Sequence, residues 1–452
     1  MTHTVRGWMA GLAAVGVLAA SAARSDVLTA DRAVQLALQK NSSVIGANAA
    51  VLDARSGLYG AYSRMLPSVS ASLTRGGSRS TGTEGNRLFG TILTPTSRTD
   101  DESYSTTPSL NGSWSVLDLS ALQSVQSART GMRASQLRRS GTRQEVAFST
   151  RRQFYEVVRA VRLADVAASA LRLARDDERR VRALFEVGSV SRSDLLKARV
   201  RGAQSQLDSL NASQAVTNQR IALAQILGLA EGEMGEVDTA LTAVPVTVDE
   251  AAVRLEAAAA RPDLKAADAE RHAARAGLRA ANLARLPAVS VNGSLSLNTK
   301  STFSQKIFGT SGTTRASARS NTDRQWQASI ALDLPLFTGL ATESQIASAQ
   351  ARVQRADDAR DALWRNLDAE VHQAVLQHGQ AVAQAEVARQ AVESAQENLK
   401  LTQQKYNVGS STILDLIDAQ VQLQRAQSDA VSALAGIRVA EAQIDRVRGR
   451  SE

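Results

Sequence analysis

Residues 54–70 read ARSGLYGAYSRMLPSVS and residues 274–290 read ARAGLRAANLARLPAVS. Nine of these 17 positions match without a gap. A second pair lies further along: VGSVSRSDLLKARV at 187–200 and VGSSTILDLIDAQV at 408–421, with half of 14 positions matching at an offset of 221. Solenoid repeats have periods of roughly 20–50 residues. A period this long means that one large structural unit has been duplicated within the chain.

Both copies change their hydrophobic period in the same order. Residues 31–64 have a helical pattern, with Asp31 placed as N-cap. Pro67 and Pro287 end the leading helix in each copy, because proline drives its predecessor out of helical geometry. A period of two follows. In copy 2, Val289, Val291, Gly293, Leu295 and Leu297 alternate with Ser290, Asn292, Ser294, Ser296 and Asn298; copy 1 keeps the phase with Val69, Ala71 and Leu73. A polar stretch rich in Gly, Ser, Thr and Arg reads as a loop. A second alternating run comes after it, marked by Leu110, Gly112, Trp114 and Val116 in copy 1 and by Trp326, Ala328, Ile330, Leu332 and Leu334 in copy 2.

Proline-free helical stretches then run over about 121–186 and 341–407. At 1.5 Å per residue each reaches about 100 Å. Gly188-Ser189 and Gly409-Ser410 break them, and a return helix follows in each copy. The return helix of copy 2 carries a heptad seam, with Leu416, Leu423, Ala430, Ile437 and Ile444 at one position and Ala419, Ala426, Ala433, Ala440 and Val447 at the other. The expected organisation is a signal peptide at 1–22 and repeat 1 at 23–227, with strand-loop-strand near 67–118. A linker spans 228–250, and repeat 2 spans 251–452 with strand-loop-strand near 287–337.

Composition removes several functions. The chain has no cysteine, which excludes disulfides, thiolate metal sites and a cysteine-linked lipid. Its formal charge is +9, yet no basic run is interleaved with stacking aromatics, so the arginines read as solvated faces and no nucleic-acid partner is expected. The four histidines (His3, His272, His372, His378) lack metal-ligand spacing. Gly76-Gly77 has no following lysine and helix to make a phosphate loop. No nucleophile–base constellation is present, so neither an enzyme nor a cofactor is expected. Arg6, the short apolar run Trp8–Ala20 and the small residues Ala20-Ser21-Ala22 form an export signal with cleavage near Ala23.

The strand pattern by itself fits a soluble sandwich with one wet face as well as a lipid-facing wall with a wet interior. The export signal and the long helices favour the wall. Four strands cannot close a barrel, and lipid tolerates no open sheet edge, so several copies must contribute strands. Two copies supply eight strands, which side chains fill; three supply twelve, which leave a lumen.

LTADRAVQLALQKN (28–41), the junctions Leu66-Pro67 and Leu286-Pro287, DLPLFTG (333–339) and KYNVGSSTILDLIDAQ (405–420) resemble the TolC family of outer-membrane efflux and secretion ducts, over essentially the whole mature chain. The resemblance implies a mainly α fold: a periplasmic α-barrel of coiled-coil helices, and four strands per chain in a trimeric 12-stranded outer-membrane β-barrel of the non-lipidated branch. It implies a passive exit duct in a tripartite efflux or type I secretion system of a Gram-negative bacterium. The implied partners are two further copies, outer-membrane lipid, a periplasmic adaptor and an inner-membrane pump of ABC or RND type. It places Asp415 and Asp418, which share a helix face, as a cation-attracting ring at a gate; copy 1 has Asp194 and Lys197 at these positions. It makes Tyr406 a tie to Asp194. The arginine that reinforces this tie in relatives falls at Ser411, and Arg192 is a substitute from the other copy. Val187-Gly188-Ser189 and Val408-Gly409-Ser410 become the tip turns that meet the adaptor. The competing function is a structural coiled-coil envelope protein without conductance.

Overall fold

The computed structural model describes residues 27–88, 91–230, 233–242, 248–308 and 313–450. The expected export signal lies outside them. Each repeat runs helix, helix, strand, strand, long helix, return helix. Repeat 1 holds α1 (Ala30–Lys40), α2 (Ser42–Ser63), β1 (Ser68–Leu88), β2 (Thr91–Leu117), α3 (Leu119–Glu186) and α4 (Arg192–Leu227). Repeat 2 holds α5 (Glu250–Ala260), α6 (Pro262–Leu283), β3 (Ala288–Phe308), β4 (Thr313–Asp333), α7 (Ala341–Asn407) and α8 (Ile413–Arg448). Among the described residues, no helix is long and apolar enough to cross a membrane.

The leading helix differs from expectation at two points. Its N-cap is Thr29, whose hydroxyl accepts from the Arg32 amide at 3.3 Å, while Asp31 sits in the first turn beside the positive helix end. The helix is also interrupted at Asn41, which is extended and donates its side-chain amide to the Ile226 carbonyl at 2.8 Å. A residue that bonds a remote carbonyl fixes the break there.

The chain divides into two compact units. One comprises the described residues up to Asn41 and those within 149–245 and 380–440. Its apolar centre is Val181, Leu195, Ala198, Ile413 and Leu416, with Leu399 and Tyr406 against it. Near the end of α4, Gly228 has φ +67° and lies against the Lys40 carbonyl, so close that a Cβ would stand 2.8 Å from it. Only glycine fits that backbone at that distance.

The other unit comprises Ser42–Phe148, Val246–Gly379 and the segment from Glu441. Its helical core joins Val253, Ala257 and Leu264 to Leu367, Val371, Ile444 and Val447. Arg261, between α5 and α6, is buried and satisfied by Asp263 at 2.6 Å and Glu370 at 2.5 Å. This pairing is what makes a buried guanidinium tolerable.

The same unit carries one antiparallel sheet in the order β1-β2-β3-β4. β1, β3 and β4 have 21 residues and β2 has 27. The polar stretches expected as loops are themselves strand. They pair because the polar face is laddered by hydroxyls, Ser68–Ser113 at 2.8 Å, Ser72–Ser109 at 2.7 Å and Ser78–Ser103 at 2.8 Å. Serine and threonine runs of this kind carry loop composition and strand hydrogen bonding together. Ser70, Asn111, Asn292, Ser294 and Gln327 share the polar face. Ala71, Leu73, Leu110, Leu295 and Leu297 share the other, which is apolar. Among the described residues, β1 and β4 are the two edges of the sheet.

Candidate functional site

The two tip turns have one design. The Ser189 amide bonds the Leu184 carbonyl at 2.8 Å and Gly188 bonds Phe185 at 3.0 Å; Ser410 bonds Lys405 at 2.9 Å and Gly409 bonds Tyr406 at 3.0 Å. This is a Schellman closure of α3 and of α7. Gly188 and Gly409 both have φ +76°. A Cβ at either would meet nothing within 4 Å, so backbone strain alone selects glycine. Val187 and Val408 stand out of these turns at 74 % and 79 % exposure.

Each return helix then opens on a cap. Ser191 accepts from the Asp194 amide at 3.1 Å and donates to the Asp194 carboxylate at 2.7 Å. The Ser191 hydroxyl holds the Asp194 carboxyl below its usual range, with Lys197 at 3.4 Å adding to it. In copy 2 the box is fuller. Thr412 accepts from the Asp415 amide at 3.2 Å, while Asp415 accepts from the Thr412 amide at 2.8 Å, the Thr412 hydroxyl at 2.8 Å and the Ser411 hydroxyl at 3.0 Å. This is a reciprocal capping box. The Thr412 backbone bond is the main reason that the Asp415 carboxyl lies below its usual range. Ser411 thus serves Asp415. Asp418 accepts from Gln422 at 2.7 Å. Asp415 and Asp418 are both exposed and one turn apart, while Leu416, Ala419 and Gln420 between and beside them are buried.

Tyr406 packs into the cluster around Val181 and Leu416. Burial raises its phenol pKa first, and the carboxylates of Asp177 and Asp194 add to the effect. Among the described residues no hydrogen bond joins Tyr406 to Asp194. The two are electrostatic neighbours, and Asp194 spends its oxygens on Ser191 and Lys197.

Sequence reasoning missed the pair at the centre of this cluster. Asp177 on α3 is 7 % exposed, Gln420 on α8 is 5 % exposed, and the Gln420 amide donates to the Asp177 carboxylate. Burial pushes the Asp177 carboxyl up, against the pull of Gln420 and Arg180. A second polar tie runs beside it, from Arg201 on α4 to Gln424 on α8 at 2.8 Å. Gln420 was legible in part, since it falls one turn after seam residue Leu416. Asp177 was hidden in the charged run RDDERR, which reads as solvated.

The family model described as outer membrane efflux protein matches residues 33–229 and again 253–450, one match for each repeat. The outer membrane protein TolC of Vibrio cholerae is 24 % identical over 326 residues, 72 % of each chain. The CmeC outer membrane channel of Campylobacter jejuni superposes with a TM-score of 0.76 at 16 % identity, over 93 % of this chain and 86 % of that one. The MtrE outer membrane channel of Neisseria gonorrhoeae, in a structure described as its open state, gives 0.71 at 20 % identity, over 93 % and 88 %.

Proposed function

Because the chain belongs to the outer membrane efflux protein family, and is therefore an outer-membrane efflux channel with its helices on the periplasmic side, we propose that three copies join as one passive exit duct with a gate at the helix turns. The observation that carries the assembly is the pair of unfinished edges. Among the described residues, the sheet ends in β1 and β4, which run antiparallel to each other in chain order and so can pair between copies. Three copies supply twelve strands and leave a lumen lined by the Ser/Asn/Gln face.

The helices are unfinished in the same sense. On α4, Leu196, Val200, Leu207, Leu210 and Ile221 are exposed at heptad-compatible spacing; on α7, Val387 and Leu401 are. Two different edges that mate head to tail generate a ring when the rotation between copies closes. Each ring level then repeats three times around the axis. Asp415 and Asp418 form the carboxylate rings of the gate, with Tyr406 and Asp194 in the packing behind it. The turns at Val187-Gly188-Ser189 and Val408-Gly409-Ser410 are the docking points for a periplasmic adaptor that connects an inner-membrane pump. The support for that docking is the exposure of both valines on rigid turns.

Light scattering of the protein in mild detergent, followed by single-channel recording of the same sample in planar bilayers, tests this reading. A trimer that conducts is expected. A monomeric or dimeric mass, or a trimer without conductance, overturns it.

A further inference from the structure

The apolar face of the sheet stops abruptly, and what stands at its border identifies a partner. Following the pairing register from the helical end, the apolar face reads Leu117, Val289 and Leu332, then Trp114, Val291 and Ile330, then Ala71, Leu110, Leu295 and Trp326 above the glycine-rich row of Val69. The run from Val289 to Leu297 matches the ~9–11 residues that a tilted strand needs to cross the hydrocarbon. The strands continue well beyond it, with 21 or more residues each.

The first charges past this band are Arg324, paired across from Leu297, and Arg75, two residues on from Leu73. Both lie on the lipid-facing side by strand alternation. Both are exposed, and among the described residues neither has an ion pair or hydrogen-bond partner. No acidic residue shares their rows: Arg75 is level with Thr106, Thr299 and Thr322. Arg79, the next arginine outward on the same face, is different. Asp100 at 2.5 Å and Glu102 at 3.5 Å already hold it. The helices leave from the opposite ends of the strands, so this border faces the outer leaflet.

We infer that Arg75 and Arg324 form a docking surface for the phosphate groups of anionic lipid headgroups in the outer leaflet. A guanidinium at the edge of an apolar band, with no internal anion, meets a phosphate in a low-dielectric interface, where a charge-assisted fork is strongest. Trp326, 75 % exposed and next along β4 from Arg324 on this face, supplies an amphipathic ring at the same border. The two arginines lie on the sheet's two edge strands, so closure of a ring brings the β1 of one copy beside the β4 of the next. The inference rests on the barrel reading, and conductance measured in parallel separates a failed barrel from a failed lipid site.

Native mass spectrometry of the detergent-solubilised protein, titrated with bis-phosphorylated lipid A and with the same lipid dephosphorylated, is the test. The phosphorylated lipid should bind, and the R75Q/R324Q protein should bind it about tenfold more weakly, the loss expected for about one charge-assisted contact. The R75K/R324K protein, which keeps the charge, should fall between them. R79Q, whose arginine is internally paired, should bind as the parent does. Equal binding of the dephosphorylated lipid, an unchanged R75Q/R324Q protein, or an equal loss in R79Q overturns the inference. So does full competition by inorganic phosphate, which would make this a free-anion site.

Discussion

Gln420 donates its side-chain amide to Asp177, joining the return helix of repeat 2 to the long helix of repeat 1 through two buried side chains. The Asp177 carboxylate is held by the Gln420 amide on one oxygen and by Arg180 at 3.7 Å on the other; without Gln420 a buried carboxylate oxygen loses its donor. Gln420→Leu should therefore lower stability by roughly 2 kcal/mol and raise the resting leak in planar bilayers. Asp177→Asn, which keeps a polar partner without charge, should be milder. A Gln420→Leu channel with parental stability and leak would show that this pair does not hold the tip.

Acidity should act on the same group with a definite sign. Burial raises the folded-state pKa of Asp177 above 3.8. The folded protein therefore takes up its proton at higher pH than the unfolded chain, and the burial cost is present above the folded pKa and relieved as pH falls through it. Thermal melting of Asp177→Asn and parent across acidic pH should show the parent gaining stability relative to the variant as pH falls. A gap independent of pH would mean that the carboxylate is not desolvated.

The duplicated motifs and the change of period from 3.6 to 2 reveal the order of elements in each repeat, because Leu-Pro and Gly-Ser punctuate them at equivalent positions. The strand lengths are not legible in the same way. Ser78 and Ser103 have loop composition, yet they pair in the continuous β1–β2 ladder with their hydroxyls in contact across it. Asp415 was legible as a helix-face carboxylate, but its capping box with Thr412 depends on atoms that approach only after the turn is closed. Asp177 was not legible, since nothing local distinguishes it from Asp176 beside it; burial separates the two.

Tyr406 offers a test of what its side chain contributes. Its ring belongs to the apolar cluster, and its hydroxyl has no hydrogen bond to Asp194 among the described residues. Tyr406→Phe should keep the parent's leak, whereas Tyr406→Ala should destabilise by about 2 kcal/mol or more through the cavity it leaves. A large leak in Tyr406→Phe would assign the closure to the hydroxyl, through a contact made in the assembly.

At the tip, Gly409 has φ +76° with open space around its missing Cβ. Asparagine tolerates this conformation far better than a β-branched residue does. Gly409→Asn should therefore support export by an intact pump system, and Gly409→Val should lose it while the oligomer persists on native gels. Equal export by the two variants would remove the turn geometry from the docking step.

The final prediction concerns the exposed carboxylates. Asp415 and Asp418 lie one helical turn apart, and in the proposed trimer threefold repetition would stack them as two rings. At a narrow constriction with low-dielectric walls, local charge outweighs distant surface charge, so the duct should prefer cations despite a formal chain charge of +9. Polyvalent cations added on the periplasmic side should block it. The two aspartates are not equivalent. Asp415 is fixed by Thr412 and Ser411, and its carboxyl is held below its usual range, so its contribution to the cap is present above 3.8 and lost as pH falls through the depressed folded value. Asp418 has one amide donor, Gln422, and no part in the cap. Asp418→Asn should therefore weaken selectivity and block without affecting the turn. Asp415→Asn should weaken both and also loosen the start of α8, and the double variant should lose most of the cation preference. Reversal potentials under a salt gradient and polyvalent block, read for all three variants, decide the matter. A double variant with the parent's selectivity and block would show that these carboxylates face solvent away from the constriction, where their only role is to cap and solvate the helix.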